Sequence, residues 1–242
     1  MNDNKMNMVI ILAAGKGTRM NSDMPKVLHT LKNKSLLEHV IDAARSLEPQ
    51  QIIVVVGYKK NLVIEKFKSE DLTFVEQKTQ KGTADAIKYC LPETKCFNGN
   101  VLILSGDVPL IKPETLKEFI KTHDLNNANA SLISAEIDDP TGYGRIIKNN
   151  KNQLIKIVEH KDASDKQKEL KEINSGIYIF DSQTLNQTIP LIDNKNAQSE
   201  YYLTDIFNFI DEKNTSIFKV KNNIEISGIN TIVQLSETEK KY

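Results

Sequence analysis

The sequence predicts an α/β protein: a Rossmann-like mixed, mostly parallel sheet with helices on both faces. Two observations carry that expectation. Short apolar, β-branched runs alternate with segments of helical spacing through the first half of the chain, the pattern of parallel strands joined by crossover helices. The first such run also leads directly into a glycine-bearing turn, Gly15-Lys16-Gly17, at the strand end where open α/β sheets hold ligands.

Taken in order, residues 8–12 are apolar throughout and read as a buried strand. Residues 35–47 place Leu36, Leu37, Val40, Ile41 and Ala44 on one helical face. Residues 52–56 form a second strand, ended by Gly57. A helix over 62–67, a short strand over 72–75, a helix over 83–91 and a strand over 101–104 follow. Pro113 opens a helix over 113–123, its missing N–H being unneeded there. The second half is less regular, with strands expected over 130–136, 144–148, 154–158 and 172–180 and a turn at Asp139-Pro140-Thr141-Gly142. Residues 160–171 read as a solvated loop and helix, 203–211 as a helix, 217–220 as a strand and 231–241 as a final polar helix. No internal repeat or low-complexity linker interrupts the chain.

A length of 242 residues suits one domain of ordinary size. Lys plus Arg number 32, as do Asp plus Glu, and zero net charge argues against a general nucleic-acid or membrane-surface binder. Any anion site must therefore be local. Cys90 and Cys96, and His29, His39, His123 and His160, lack metal-ligand spacing. Residues 1–7 are polar and lack a signal-peptide core, with Met6 or Met8 as alternative starts. No apolar run approaches the ~20 residues of a membrane span. These features point to a reduced cytoplasmic protein.

The local anion site is Leu12-Ala13-Ala14-Gly15-Lys16-Gly17-Thr18-Arg19. Two glycines let backbone amides approach a phosphate chain. Ala13 and Ala14 leave room for a flat base, while Lys16, Arg19 and the nearby Lys26 bring positive charge. A dinucleotide fingerprint needs a third glycine, and a Walker loop needs one five residues ahead of a Gly-Lys pair; neither is present. Asp107 follows the strand over 101–104 in a Gly106-Asp107-Val108-Pro109 context. Its position at the carboxyl end of a strand makes it a hard-oxygen metal ligand candidate.

The run from Leu12 to Met20, followed by Pro25-Lys26, resembles the signature of sugar-nucleotide pyrophosphorylases. The resemblance is closest to the bacterial N-acetylglucosamine-1-phosphate uridyltransferases and covers essentially the whole chain. Its landmarks are Gln77 with Gly82-Thr83, Gly106-Asp107-Val108-Pro109-Leu110, Asp139 to Ile146, Val158-Glu159-His160-Lys161-Asp162, Glu172-Ile173-Asn174-Ser175-Gly176, Glu200 to Asp205 and Gly228-Ile229-Asn230. The family usually has an aromatic where this chain has Ser105, which should alter packing near the base or ribose.

The resemblance implies a nucleotide-diphospho-sugar transferase fold that moves uridylyl from UTP to N-acetylglucosamine 1-phosphate with Mg²⁺. Arg19, Lys26 and Asp107 would be catalytic, and Asp107 with Asn230 would hold the metal. Leu12, Ala13, Ala14, Gly15, Lys26, Gln77, Gly82, Thr83, Ser105, Gly106, Asp107, Gly144, Glu159, Asn174 and Asn230 would bind the substrates. Gln77 and Gly82-Thr83 would read uracil; Gly144, Glu159 and Asn174 would hold the sugar. Thr83 is also placed to cap its helix, Tyr201 and Tyr202 could line the sugar pocket or fill the core, and His39 reads as structural.

The implied division is a nucleotidyltransferase domain over 1–229, with a nucleotide-binding half to 110 and a sugar-binding half over 111–229. Residues 230–242 would begin a linker. Bifunctional members continue into a β-helix of hexapeptide repeats that drives trimerisation; no such repeats occur here. A monomer or weak oligomer is therefore expected. The alternatives are a related enzyme using another sugar phosphate or pyrimidine nucleotide, and a regulatory nucleotide-binding module without turnover.

Overall fold

Strands, helices and their connections follow from a computed structural model that describes residues 7–68 and 71–241. Met6, read above as an alternative start, and Tyr242 lie outside the described residues. The chain runs through β1 (Asn7–Leu12), β2 (Thr30–Leu31), β3 (Lys34–Ser35), α1 (Leu36–Arg45), β4 (Gln51–Val56) and α2 (Lys60–Phe67). It continues through β5 (Thr73–Glu76), α3 (Thr83–Thr94), β6 (Asn100–Ser105), α4 (Pro113–Leu125) and β7 (Ala130–Glu136). Then come β8 (Arg145–Lys148), β9 (Leu154–Val158), α5 (Asp165–Lys168), β10 (Glu172–Asp181), α6 (Ser182–Thr188), β11 (Thr215–Lys219) and α7 (Ile232–Lys241).

The main sheet has the order β11-β7-β10-β6-β1-β4-β5, with β8 and β9 attached beside β10. Strands β6, β1, β4 and β5 are parallel. Strand β10 runs against both β6 and β7, and β11 is parallel to β7. The expected mixed, mostly parallel sheet is thus observed. The interior strand β1, between β6 and β4, is apolar on both faces, as burial on two sides requires. Val9 and Ile11 pack into one layer with Val40, Ile41, Val63 and Phe119 of α1, α2 and α4. Met8 and Ile10 pack into the other with Ile87 and Cys90 of α3 and Leu185 of α6. Ile10 and Ile11 are fully buried, each contributing about 1.5–3 kcal/mol of transfer free energy.

Several boundaries differ from the expectation. Helix α1 begins one residue later because Ser35 caps it, paired reciprocally with Glu38. Helix α3 does not stop before Pro92 but reaches Thr94. Its last turn is fastened to α6, where Asn186 accepts from Thr94 Oγ1 at 2.7 Å and donates to Thr94 O at 3.1 Å. Residues Leu203–Phe209 form a 3₁₀ helix, not an α-helix. The buried pairs Leu203/Ile206 and Thr204/Phe207 are spaced three apart, matching three residues per turn.

Two elements escape the hydrophobic pattern. Helix α6 is polar except for Leu185 and starts because the Asp181 carboxylate accepts from the amides of Gln183 and Thr184. The β2–β3 hairpin has two-residue strands around Lys32 and Asn33, both at positive φ (46° and 69°), as a tight hairpin turn demands. Among the described residues no helix is long and apolar enough to cross a membrane.

Candidate active site

The site forms where β1 and β6 end together. Their parallel register sets Leu12 beside Ser105, so the glycine turn and Gly106-Asp107 emerge side by side. The amide of Gly106 donates to Leu12 O at 2.9 Å. A side chain at Gly106 would meet that oxygen at 3.0 Å, so the close strand approach depends on glycine. Gly17 sits at φ 65° with the Lys26 Cβ 2.5 Å from where its own Cβ would be. Its substitution would be strained and would push Lys26 aside. Gly15 faces open space, with nothing within 4 Å of a built Cβ. Ala13 and Ala14 are buried and pinned, Ala13 N donating to Val55 O and Tyr58 N to Ala14 O at 2.9 and 3.0 Å. They form a fixed floor beside an open turn.

Lys26 forms an ion pair with Asp107. Its Nζ also donates to Asn230 Oδ1 at 2.9 Å, and Arg19 Nη2 donates to the same oxygen at 2.9 Å. Asn230 is held there because Ile229 N donates to Asp107 O and Asn230 N to Gln234 Oε1. The structure thus brings together Arg19, Lys26, Asp107 and Asn230 from opposite ends of the chain. Asp107 and Asn230 both direct an oxygen at one ammonium, which marks a place where positive charge is favoured. Among the described residues no group of three or more acidic, His or Cys side chains could hold a metal ion. One carboxylate and one amide oxygen fit a cation that keeps most of its waters, as Mg²⁺ does. Lys16 is exposed and stays outside this cluster, its Nζ 5.6 Å from the Tyr58 ring centroid.

On the β5 side, Gln77 is buried and its backbone amide donates to Val56 O at 2.8 Å. Its side-chain Nε2 donates to Gly82 O at 3.0 Å and to Asp85 Oδ2 at 2.8 Å. Gly82 has φ 114°, and a Cβ there would collide with the backbone of Tyr201. Thr83 does not cap α3, correcting that expectation: Gly82 occupies the cap position. The Thr83 hydroxyl instead accepts from Leu203 N at 2.9 Å, tying the 3₁₀ helix to this corner.

On the side of β8, β9 and β10, Gly144, Glu159 and Asn174 also converge. Asn174 N donates to Gly144 O at 2.9 Å, and the Glu159 carboxylate lies 3.5 Å from a built Cβ on Gly144. Asn174 Nδ2 donates to Tyr178 Oη at 2.7 Å, over an irregular stretch of β10. Thr204 donates to Glu159 Oε1 at 2.9 Å. Burial pushes the Glu159 carboxyl above its ordinary value, and nearby Asp205, Asp162 and Glu200 push the same way while the Thr204 hydrogen bond opposes them. Ser105 Oγ donates to Gly176 O at 3.4 Å, linking β6 to this side.

Three participants went unassigned in the sequence: Thr204, Tyr178 and Tyr143. Burial and the charge of Asp107 raise the Tyr143 phenol, opposed by the Gly228 backbone and by Arg19, so this ring borders the cation cluster. Thr204 and Tyr143 lie inside motifs already quoted; the signal was present but not resolved to single residues. Tyr202 is buried, and the Tyr201 ring carries Lys88 Nζ 3.9 Å above its centroid.

A strand-end glycine turn beside a carboxylate, an amide and two cations is the arrangement of a nucleoside triphosphate transferase. The chain belongs to the MobA-like NTP transferase domain family, whose model matches residues 9–160. Among curated proteins it is 46% identical over 232 residues to the bifunctional protein GlmU of Prochlorococcus marinus strain NATL2A, covering 96% of this chain and 52% of the relative. It is 43% identical over 236 residues to the bifunctional protein GlmU of Streptococcus mutans serotype c, covering 97% of this chain and 51% of the relative. The chain therefore spans about half the length of these relatives. A solved UDP-glucose pyrophosphorylase complexed with UDP-glucose shares the fold, with a TM-score of 0.78, 17% identity and 98% coverage of both chains.

Proposed function

We propose that this chain transfers uridylyl from UTP to N-acetylglucosamine 1-phosphate, releasing pyrophosphate. The observation that carries this is the cluster of Arg19, Lys26, Asp107 and Asn230 at the mouth of the glycine turn. A phosphate oxygen of the sugar phosphate attacks the α-phosphorus; the new O–P bond forms as the bond from the α-phosphorus to its bridging oxygen breaks. A phosphate monoester has a second pKa of about 6, so the nucleophile is already dianionic and needs no general base.

The difficulty is bringing a dianion to a triphosphate, which positioning and fixed positive charge relieve. Lys26 and Arg19 neutralise the phosphates that become pyrophosphate. Gly15 leaves its backbone open to them, and Ala13 and Ala14 support the base. Asp107 and Asn230 would hold Mg²⁺, which when bound adds positive charge beside the phosphates. Gln77, Gly82 and Thr83 face the uracil, Leu12, Ser105 and Gly106 shape the ribose end, and Gly144, Glu159 and Asn174 hold the acetamido sugar. Residues 1–229 make up this catalytic unit, with nucleotide contacts before residue 110 and sugar contacts after it, joined by Asn230 from the segment before α7.

The test is pyrophosphate release with Mg²⁺ across a panel of nucleotides and sugar 1-phosphates. UTP should be consumed only when N-acetylglucosamine 1-phosphate is present. Faster turnover with CTP or with glucose 1-phosphate would replace this assignment by a related one.

A further inference from the structure

The base-reading corner contains a carboxylate with no role above. Asp85 lies in the first turn of α3, and its Oδ2 accepts from Gln77 Nε2 at 2.8 Å while Gly82 O accepts from the same nitrogen at 3.0 Å. We propose that Asp85 sets base selection by locking the Gln77 amide with its oxygen, not its NH₂, turned to the nucleobase. This rests on Gln77 being the uracil reader.

The orientation follows from donor and acceptor counting. A glutamine amide has two N–H donors on Nε2 and an acceptor at Oε1. Here both donors are matched, one by a carbonyl and one by a carboxylate. Rotating the amide by half a turn would set Oε1 against those two oxygens with no proton between them. The Gly82 carbonyl is a neutral acceptor; the bond to Asp85 is charge-assisted and the stronger of the two. Among the described residues no donor reaches Oε1, so that atom remains to accept from a ligand.

An outward-facing acceptor discriminates between pyrimidines. Uracil carries a hydrogen on ring N3 and can donate to Oε1. Cytosine carries a lone pair there and meets Oε1 acceptor to acceptor. A site built around one donor–acceptor pair penalises a base that cannot complete it, because a buried polar group is left unpaired. Without Asp85, the amide keeps only the Gly82 anchor and can rotate to offer NH₂ to cytosine.

Titration calorimetry with UTP and with CTP, in Mg²⁺ and without sugar phosphate, tests this on the full chain. The parent should prefer UTP. Asp85→Ala should narrow that preference by about tenfold, the equivalent of one net hydrogen bond, with UTP weakened and CTP unchanged or improved. A merely loosened helix would weaken both nucleotides alike and leave their ratio untouched. Should the alanine variant not fold, Asp85→Ser carries the same expectation, since its hydroxyl is one atom too short to reach Gln77. A variant that folds and retains the full parental preference overturns the role of Asp85 while leaving the uridylyl assignment standing. A parent that binds CTP as well as UTP overturns that assignment and this inference with it.

Discussion

Around Asp107, negative oxygen is answered by two cations; around Glu159, a carboxylate is answered by a hydroxyl while other carboxylates stand nearby. The first end sets one carboxylate against two cations, a surplus of positive charge, and the second leaves negative charge uncompensated. Asp205 near Glu159 is itself raised by burial and by Asp193 and Asp162. A polyanion needs fixed countercharge where it sits, which on the proposed assignment Lys26 and Arg19 would supply at the nucleotide end. An acetamido group and ring hydroxyls need acceptors and shape, so on the proposed assignment the sugar end would tolerate a carboxylate that is poorly compensated until ligand arrives. On that assignment, countercharge at one end would serve chemistry and some stability together; at the other, binding would be set against stability.

The largest expected effect breaks the first end. Asp107→Ala should lower turnover by about a thousandfold or more, the scale of removing a key electrostatic group, with the circular dichroism spectrum preserved. Near-normal turnover in a folded Asp107→Ala protein removes Asp107 from the mechanism. Lys26→Met and Arg19→Met come next, each expected to cost about a hundredfold in kcat/KM for UTP. If either loss appeared only in the KM for the sugar phosphate, the two ends would have to be reassigned.

Glu159→Gln sharpens the contrast, because its two effects should have opposite signs. The KM for N-acetylglucosamine 1-phosphate should rise about tenfold, while the folded protein becomes more stable near neutral pH. Burial holds the folded Glu159 above its ordinary value of 4.5, so ionising it costs the native state. That cost is absent below the unfolded value and grows as pH rises through the folded one. Urea unfolding at about pH 7 and about pH 4 should therefore show a gain that disappears on acidification; a variant less stable at both pH values contradicts it. The smallest effect belongs to Lys16→Ala. Its exposed side chain lies over the Tyr58 ring, and loss of such a contact should change kcat/KM less than about threefold.

What the sequence made legible was whatever is local. The strand before Gly15, the turn and the position of Asp107 depend on neighbours in the chain, and periodicity with glycine spacing reveals them. Asn230 could be assigned only by resemblance, because nothing near it in sequence says that Arg19 and Lys26 share its oxygen. Thr204 went unassigned because its partner Glu159 lies 45 residues away, just after β9, and the Thr83 hydroxyl answers Leu203 instead of its own helix. Helix α6 was hidden because a polar segment with one anchoring leucine has no amphipathic period. Pro92 misplaced the end of α3 because its local rule was outweighed by the bonds between Thr94 and Asn186.

Asn230 also says something about the order of assembly. Its bonds to Lys26 and Arg19 close separations of 204 and 211 residues. Loop-closure entropy grows only logarithmically with such lengths, so these contacts are affordable in the finished protein. Contacts so distant in sequence form late, however, and synthesis delivers residue 230 after every strand of the sheet. During translation the glycine turn and Asp107 exist for most of the chain's emergence without the amide that aligns their two cations. Sheet formation and closure of the cluster around Asn230 are thus separate events in time, and the second waits for the last few residues before α7.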